Sequence, residues 1–89
     1  NRLDDPLPGV QMTPERIRLI TVLWSWERRA LVDCKPPEFR RGLWRILDAL
    51  YDDMVVVRTP GYRDQVRAVL AGMRQTEDVL AVRKELGLE

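Results

Sequence analysis

The sequence predicts an all-α fold, a small antiparallel bundle of three to four helices, and three observations carry that prediction. Apolar residues recur at spacings of three and four rather than in alternation. Two Thr-Pro pairs, Thr13-Pro14 and Thr59-Pro60, and one Pro-Pro pair, Pro36-Pro37, stand where helix starts are expected. The 89 residues are 45% hydrophobic and 33% charged, enough apolar material for a core and too much for wholesale disorder.

Residues 1–12 read as an irregular arm or linker, because Pro6, Pro8 and Gly9 fall in a stretch without apolar period. Leu3, Leu7, Val10 and Met12 offer side chains to tack that arm onto the rest. One helical-bundle domain is expected over residues 13–89. A chain of this size buries only roughly 60 to 65% of the surface its unfolded form exposes, so oligomerisation would help it.

The first helix is predicted over residues 14–33, with Thr13 as N-cap, Pro14 at the first helical position and Glu15 against the positive end of the dipole. Ile17, Ile20, Trp24 and Leu31 share one line on it. Leu19, Leu23, Trp26 and Ala30 lie beside them, a stripe wide enough for a helix packed on two sides. Lys35-Pro36-Pro37 closes the segment, and the second proline opens the next. That second helix carries the clearest amphipathic pattern: Phe39, Leu43, Ile46, Leu47, Leu50, Tyr51 and Met54. The β-branched run after Met54 predicts a frayed helix end followed by an extended link.

A third helix is expected over residues 60–75, with Tyr62, Val66, Val69, Leu70 and Met73 at helical spacing. Thr76-Glu77-Asp78 caps a fourth, which carries Val79, Leu80, Val82 and Leu86 and stops at Gly87. One continuous rod through both segments is the alternative, since Val66, Met73 and Leu80 sit seven apart. Leu43, Ile46, Leu47, Leu50, Val66, Val69, Leu70 and Met73 are the expected core.

Composition removes much chemistry. One cysteine, Cys34, permits no internal disulfide, and the lack of histidine takes away the commonest general base and metal ligand. Structural zinc and Ser-His-Asp or Cys-His catalysis therefore have no residues to work with. Asp48, Asp52 and Asp53 form an acidic cluster without a matching second motif, so a solvated helix face is the expectation; Cys34 is read as a small residue in a helix-ending turn. No apolar run reaches the roughly 18 residues of a membrane span. Trp beside Arg invites a membrane-surface reading, but Glu15, Glu27 and Asp33 interrupt it. The N-terminus has neither the basic start nor the apolar middle of a signal peptide, giving the expectation of a cytoplasmic or other intracellular protein. The first residue is Asn rather than Met, as expected of a piece of a longer chain.

Charge and aromatics are distributed unevenly. Residues 14–45 hold seven Arg and one Lys against four acids, net +4, whereas residues 46–89 carry five Arg and one Lys against eight, net −2. Such asymmetry marks either a surface for acidic partners or two halves of a bundle that attract each other. Arg28 and Arg29 at the end of the first helix, with Arg40, Arg41 and Arg45 early in the second, are brought toward one end of a helical hairpin by the Pro-Pro link. Trp24, Trp26 and Trp44 lie in the same two helices. Trp24 and Trp26 are about 200° apart around a helix, so one core cannot take both, and the one left out is exposed or covered by something else.

These readings predict a non-enzymatic protein–protein interaction or assembly module. It is expected to bind another protein or itself, with a homo-oligomer favoured, through the first helix and its junction with the second. Trp24, Trp26, Arg28, Arg29, Arg40, Arg41, Trp44 and Arg45 are its candidate partner-binding residues. No catalytic residue, cofactor or metal is expected, nor a membrane partner. A nucleic-acid-binding helical domain using the five-Arg group is the alternative; it lacks a Gly-rich phosphate loop and a helix-turn-helix signature.

Overall fold

A computed structural model of the chain describes residues 12–88. The arm expected over residues 1–12 lies outside them, except for Met12, which is exposed. Five helices form: α1 (Pro14–Val32), α2 (Pro37–Tyr51), α3 (Val55–Arg58), α4 (Tyr62–Ala71) and α5 (Glu77–Glu85), with no strand among the described residues. The fold is all-α, as the periodicity predicts. α2 packs against α1, α3 and α4, and α5 closes onto α1.

α1 begins as its capping residues dictate: the Thr13 hydroxyl accepts a hydrogen bond from the Arg16 N–H at 3.2 Å, with Pro14 in the first turn. It ends in a Schellman motif. The Lys35 N–H donates to the Ala30 carbonyl at 3.0 Å and the Cys34 N–H to the Leu31 carbonyl at 3.2 Å. This geometry places Cys34 at φ 53°, in the left-handed region that normally selects glycine.

The segment after α2 departs from expectation. In place of a frayed end and an extended link, Asp52 turns extended and ends α2, and its carboxylate accepts the Met54 N–H at 2.9 Å. That turn restarts a helix at once. Val55 is buried and Arg58 pairs with the same Asp52 carboxylate, so one side chain holds both ends of the one-turn α3.

α4 is shorter than the expected 60–75. Pro60 does not open it; Gly61, at φ 73°, occupies the N-cap position, so the second Thr-Pro makes a turn where the first starts a helix. The helix stops at Ala71, and the Gln75 side-chain amide donates to the carbonyls of Leu70 (2.8 Å) and Met73 (2.7 Å). Filling these free carbonyls separates α4 from α5 and excludes the continuous rod. α5 starts at Thr76, whose hydroxyl accepts the Val79 N–H at 3.3 Å. It ends at Gly87, φ 67°, with Leu88 buried beside the stop.

Of the eight expected core residues, Leu43, Ile46, Leu47, Leu50, Val66, Val69 and Leu70 are buried, while Met73 is half-buried against them. Leu19, Leu23, Val79 and Val82 complete the centre. α2 and α4 meet most closely at Gly42, where an added Cβ would lie 2.1 Å from a Val69 methyl. α1 is tied down by charge as well. Buried Arg16 pairs with Glu85 of α5 at 2.7 Å and with Asp53 of the α2–α3 link at 2.6 Å, and Arg18 reaches Asp78 at 2.9 Å.

Candidate protein-interaction face

Two cross-helix contacts, and a third just past the end of α2, fix the register of the α1–α2 hairpin. Glu27 pairs with Arg40 at 3.2 Å, Trp24 stacks edge-to-face on Trp44 with ring centroids 5.1 Å apart, and Arg16 reaches Asp53. Residue numbers in these pairs rise on one helix as they fall on the other, so the helices are antiparallel. Around Trp24 and Trp44, positions seven residues away recur on the same side of each helix. Ile17 therefore lies level with Tyr51, and Leu31 level with Pro37.

The result is an apolar seam roughly 21 Å long, at about 1.5 Å per residue from position 17 to position 31. Its large side chains remain in solvent: Trp24 and Trp44 are 40% and 42% exposed, Tyr51 46%, Leu31 52% and Ile17 54%. Here the structure corrects the sequence. Of the line Ile17, Ile20, Trp24 and Leu31 only Ile20 is buried; α1 packs on two sides, against α2 and α5, but chiefly through the residues beside that line, and Ile17, Trp24 and Leu31 stay exposed. Arg28 borders the seam on α1, and Arg41 and Asp48 border it on α2; all three are exposed. None has an oppositely charged side chain within salt-bridge distance among the described residues.

The eight candidate residues divide into three groups. Trp24, Arg28, Arg41 and Trp44 share the seam face. Trp26 and Arg29 point away from it, into a cavity of about 360 Å³ with Phe39, Met73 and Arg74. Trp26 is half-buried against the core and Arg29 is held by Asp33 at 3.3 Å. Arg40 and Arg45 form the third group. Arg40 is occupied by buried Glu27, and Arg45 is half-buried. The five-Arg group thus does not converge on one surface: two members are held by carboxylates and one is partly enclosed.

Ile17, Leu31 and Tyr51 belong to the face, although they are not among the candidate binding residues of the sequence. Their seven-residue spacing from Trp24 and Trp44 is the signal that could have found them. Elsewhere the electrostatics are structural. Arg18 holds the Glu15 carboxyl below its ordinary range, and the hydrogen bond from the Met54 N–H, with Arg58, does the same for Asp52. Burial pushes the Tyr62 phenol up to about 12. Among the described residues no group of three or more His, Cys, Asp or Glu is placed to hold a metal ion, and no helix is long and apolar enough to cross a membrane.

Comparisons with protein-family models, curated proteins and solved structures find no match to the chain.

Proposed function

We propose that the chain is a non-enzymatic protein–protein interaction or assembly module that engages its partner through the α1/α2 face. The observation that supports this reading is the solvent-exposed Trp24–Trp44 pair at the middle of the seam. Two large aromatic rings held rigidly together, with Arg on either border, have the composition of an interface hot spot. Single exposed apolar residues are ordinary, whereas a continuous row of five on one hairpin face is the kind of patch that marks an interaction site.

Arg28 and Arg41, exposed and without a carboxylate partner among the described residues, keep the nucleic-acid reading as the competitor. The two separate in a pull-down from source lysate, with nuclease-treated and untreated arms, using the wild type and Trp44→Ala. On the proposed reading Trp44→Ala stays folded and loses the captured proteins, while nuclease changes nothing. Capture of the same proteins by wild type and variant would overturn it. Capture abolished by nuclease, with affinity falling steeply as salt rises, would transfer the function to phosphate binding.

A further inference from the structure

The charges around the tryptophans select one partner for this face. Resting on the reading above, we propose that the face binds a second copy of this chain, in an antiparallel two-fold dimer that lays Arg41 of each copy over Asp48 of the other.

Arg41 lies roughly 4.5 Å from Trp44 toward the Pro36 end of α2, and Asp48 roughly 6 Å toward the Tyr51 end, from the rise of an α-helix. Both side chains are exposed. The α2 border of the face is therefore basic at one end and acidic at the other, with an indole and the half-buried Arg45 between. A two-fold axis that lies in the face, crosses it at the level of Trp24 and Trp44 and runs across the helices reverses the second copy. α1 then covers α1, α2 covers α2, and the Arg41–Asp48 juxtaposition occurs twice. The apolar positions match under the same operation: Ile17 meets Leu31, Tyr51 meets Pro37, and each tryptophan meets its own counterpart. Arg28 lands near Thr21, which carries no charge.

The other two-fold available to a flat hairpin face runs along the helices and lays α1 over α2. It sets Arg28 over Arg41, a juxtaposition of like charges, twice, once on each side of the axis. Charge complementarity thus favours the antiparallel arrangement over the parallel one, and an isologous contact of this kind closes on itself. Two helix widths by the seam length give roughly 400 Å² per copy, below the roughly 800 Å² per partner of a standard interface, so the dimer is weak and reversible, with Kd in the micromolar range or above.

The test is sedimentation equilibrium of the 89-residue chain over about 10 to 500 µM, the range in which such a Kd is read. The wild type is expected to pass from monomer to dimer with concentration. Arg41→Asp and Asp48→Arg should each weaken association tenfold or more, an equimolar mixture of the two single variants should associate as heterodimer, and the double variant should recover self-association. Both positions are exposed, so circular dichroism should show the fold unchanged in every variant. A wild type monomeric throughout, single variants that associate like the wild type, or a double variant that fails to recover would each overturn the proposal. None of these outcomes touches the broader reading of the face, which fails if Trp44→Ala leaves lysate capture unaltered or if nuclease abolishes that capture.

Discussion

α2 presents two apolar faces of similar pattern, and the bundle treats them oppositely. On the inner face Leu43, Leu47 and Leu50 are buried, and Gly42 brings the backbone so near α4 that no Cβ fits against Val69. On the outer face Trp44 and Tyr51 are larger and more apolar in area, yet they remain in solvent beside Trp24 and Ile17. The inner face is closed by another part of the chain, because α4 returns across it. Among the described residues the outer face meets its hairpin partner and no third helix, and two antiparallel helices leave a seam open unless a third element fills it. Apolar surface that a small domain leaves uncovered, while a comparable surface on the same helix is packed to contact, is surface available to another molecule.

The contrast is broken most directly by truncating one residue from each face. Leu47→Ala should cost roughly 2 to 5 kcal/mol, because it opens a cavity in a packed core, whereas Trp44→Ala should cost less, roughly 1 to 2 kcal/mol, from the lost edge-to-face contact with Trp24 and the part of the indole that is covered, since no enclosed cavity is left behind. Urea melts of the two variants at a concentration where the chain is monomeric would check this. Equal losses would mean that the outer face is as integral to the fold as the inner one.

Closeness at Gly42 gives the next largest effect. An alanine is the better helix former by about 1 kcal/mol, but a Cβ at 2.1 Å from Val69 forces the helices apart, and overpacking of this kind costs roughly 1 to 3 kcal/mol. Gly42→Ala is therefore expected to lower the melting temperature, and the Gly42→Ala/Val69→Ala pair to be less harmful than the sum of the two single changes. A melting temperature that rises in the single variant would show that α2 and α4 are not so tightly apposed.

Tyr62, buried in the inner core, and Tyr51, exposed on the outer face, sharpen the comparison at alkaline pH. The Tyr62 phenol is held up to about 12 by burial, above the roughly 10 of an unfolded tyrosine. Because the folded state holds that proton more tightly, its contribution is complete below about pH 10 and is lost as pH rises toward 12, amounting to about 1 kcal/mol at pH 11. Denaturant midpoints at pH 9 and 11 should fall in the wild type and fall less in Tyr62→Phe, while Tyr51→Phe should follow the wild type.

The smallest expected effect is stabilising. Cys34 occupies a left-handed position that costs a side-chain-bearing residue roughly 1 kcal/mol, so Cys34→Gly should raise stability by about 0.5 to 1 kcal/mol. Since Cys34 lies in the link at one end of the hairpin, the gain should appear without change in the behaviour of the Trp24–Trp44 face. A thermal melt with no increase would indicate that other contacts of Cys34 offset the backbone cost.

Particular residues show how much of this was legible in advance. Capping and periodicity are local, so Thr13, Thr76 and Gly87 marked helix ends correctly, and seven of the eight expected core residues are buried. The second Thr-Pro misled because the same dipeptide fits a turn as well as a helix start, and only Gly61 at positive φ decides between them. The restart at Val55 depends on one Asp52 carboxylate binding backbone on one side and Arg58 on the other, a choice that periodicity does not encode. The argument that Trp24 and Trp26 cannot share one core is angular and therefore a property of sequence. Which of them stays outside is a property of packing.

The sequence by itself determined the helical class, the positions of most of its breaks, the core line of α2 and the exclusion of histidine-dependent chemistry, because each follows from residue type and spacing along the chain. Only the tertiary structure decided that Arg29, Arg40 and Arg41 belong to different surroundings, that Trp24 joins Trp44 while Trp26 turns to the far cavity, and that Ile17, Leu31 and Tyr51 extend the seam. The physical reason is register. A helix fixes the direction of each side chain about its own axis, but which direction is covered depends on where the other helices come to rest, and that is settled by long-range contacts such as Arg16 to Glu85 and Gly42 to Val69.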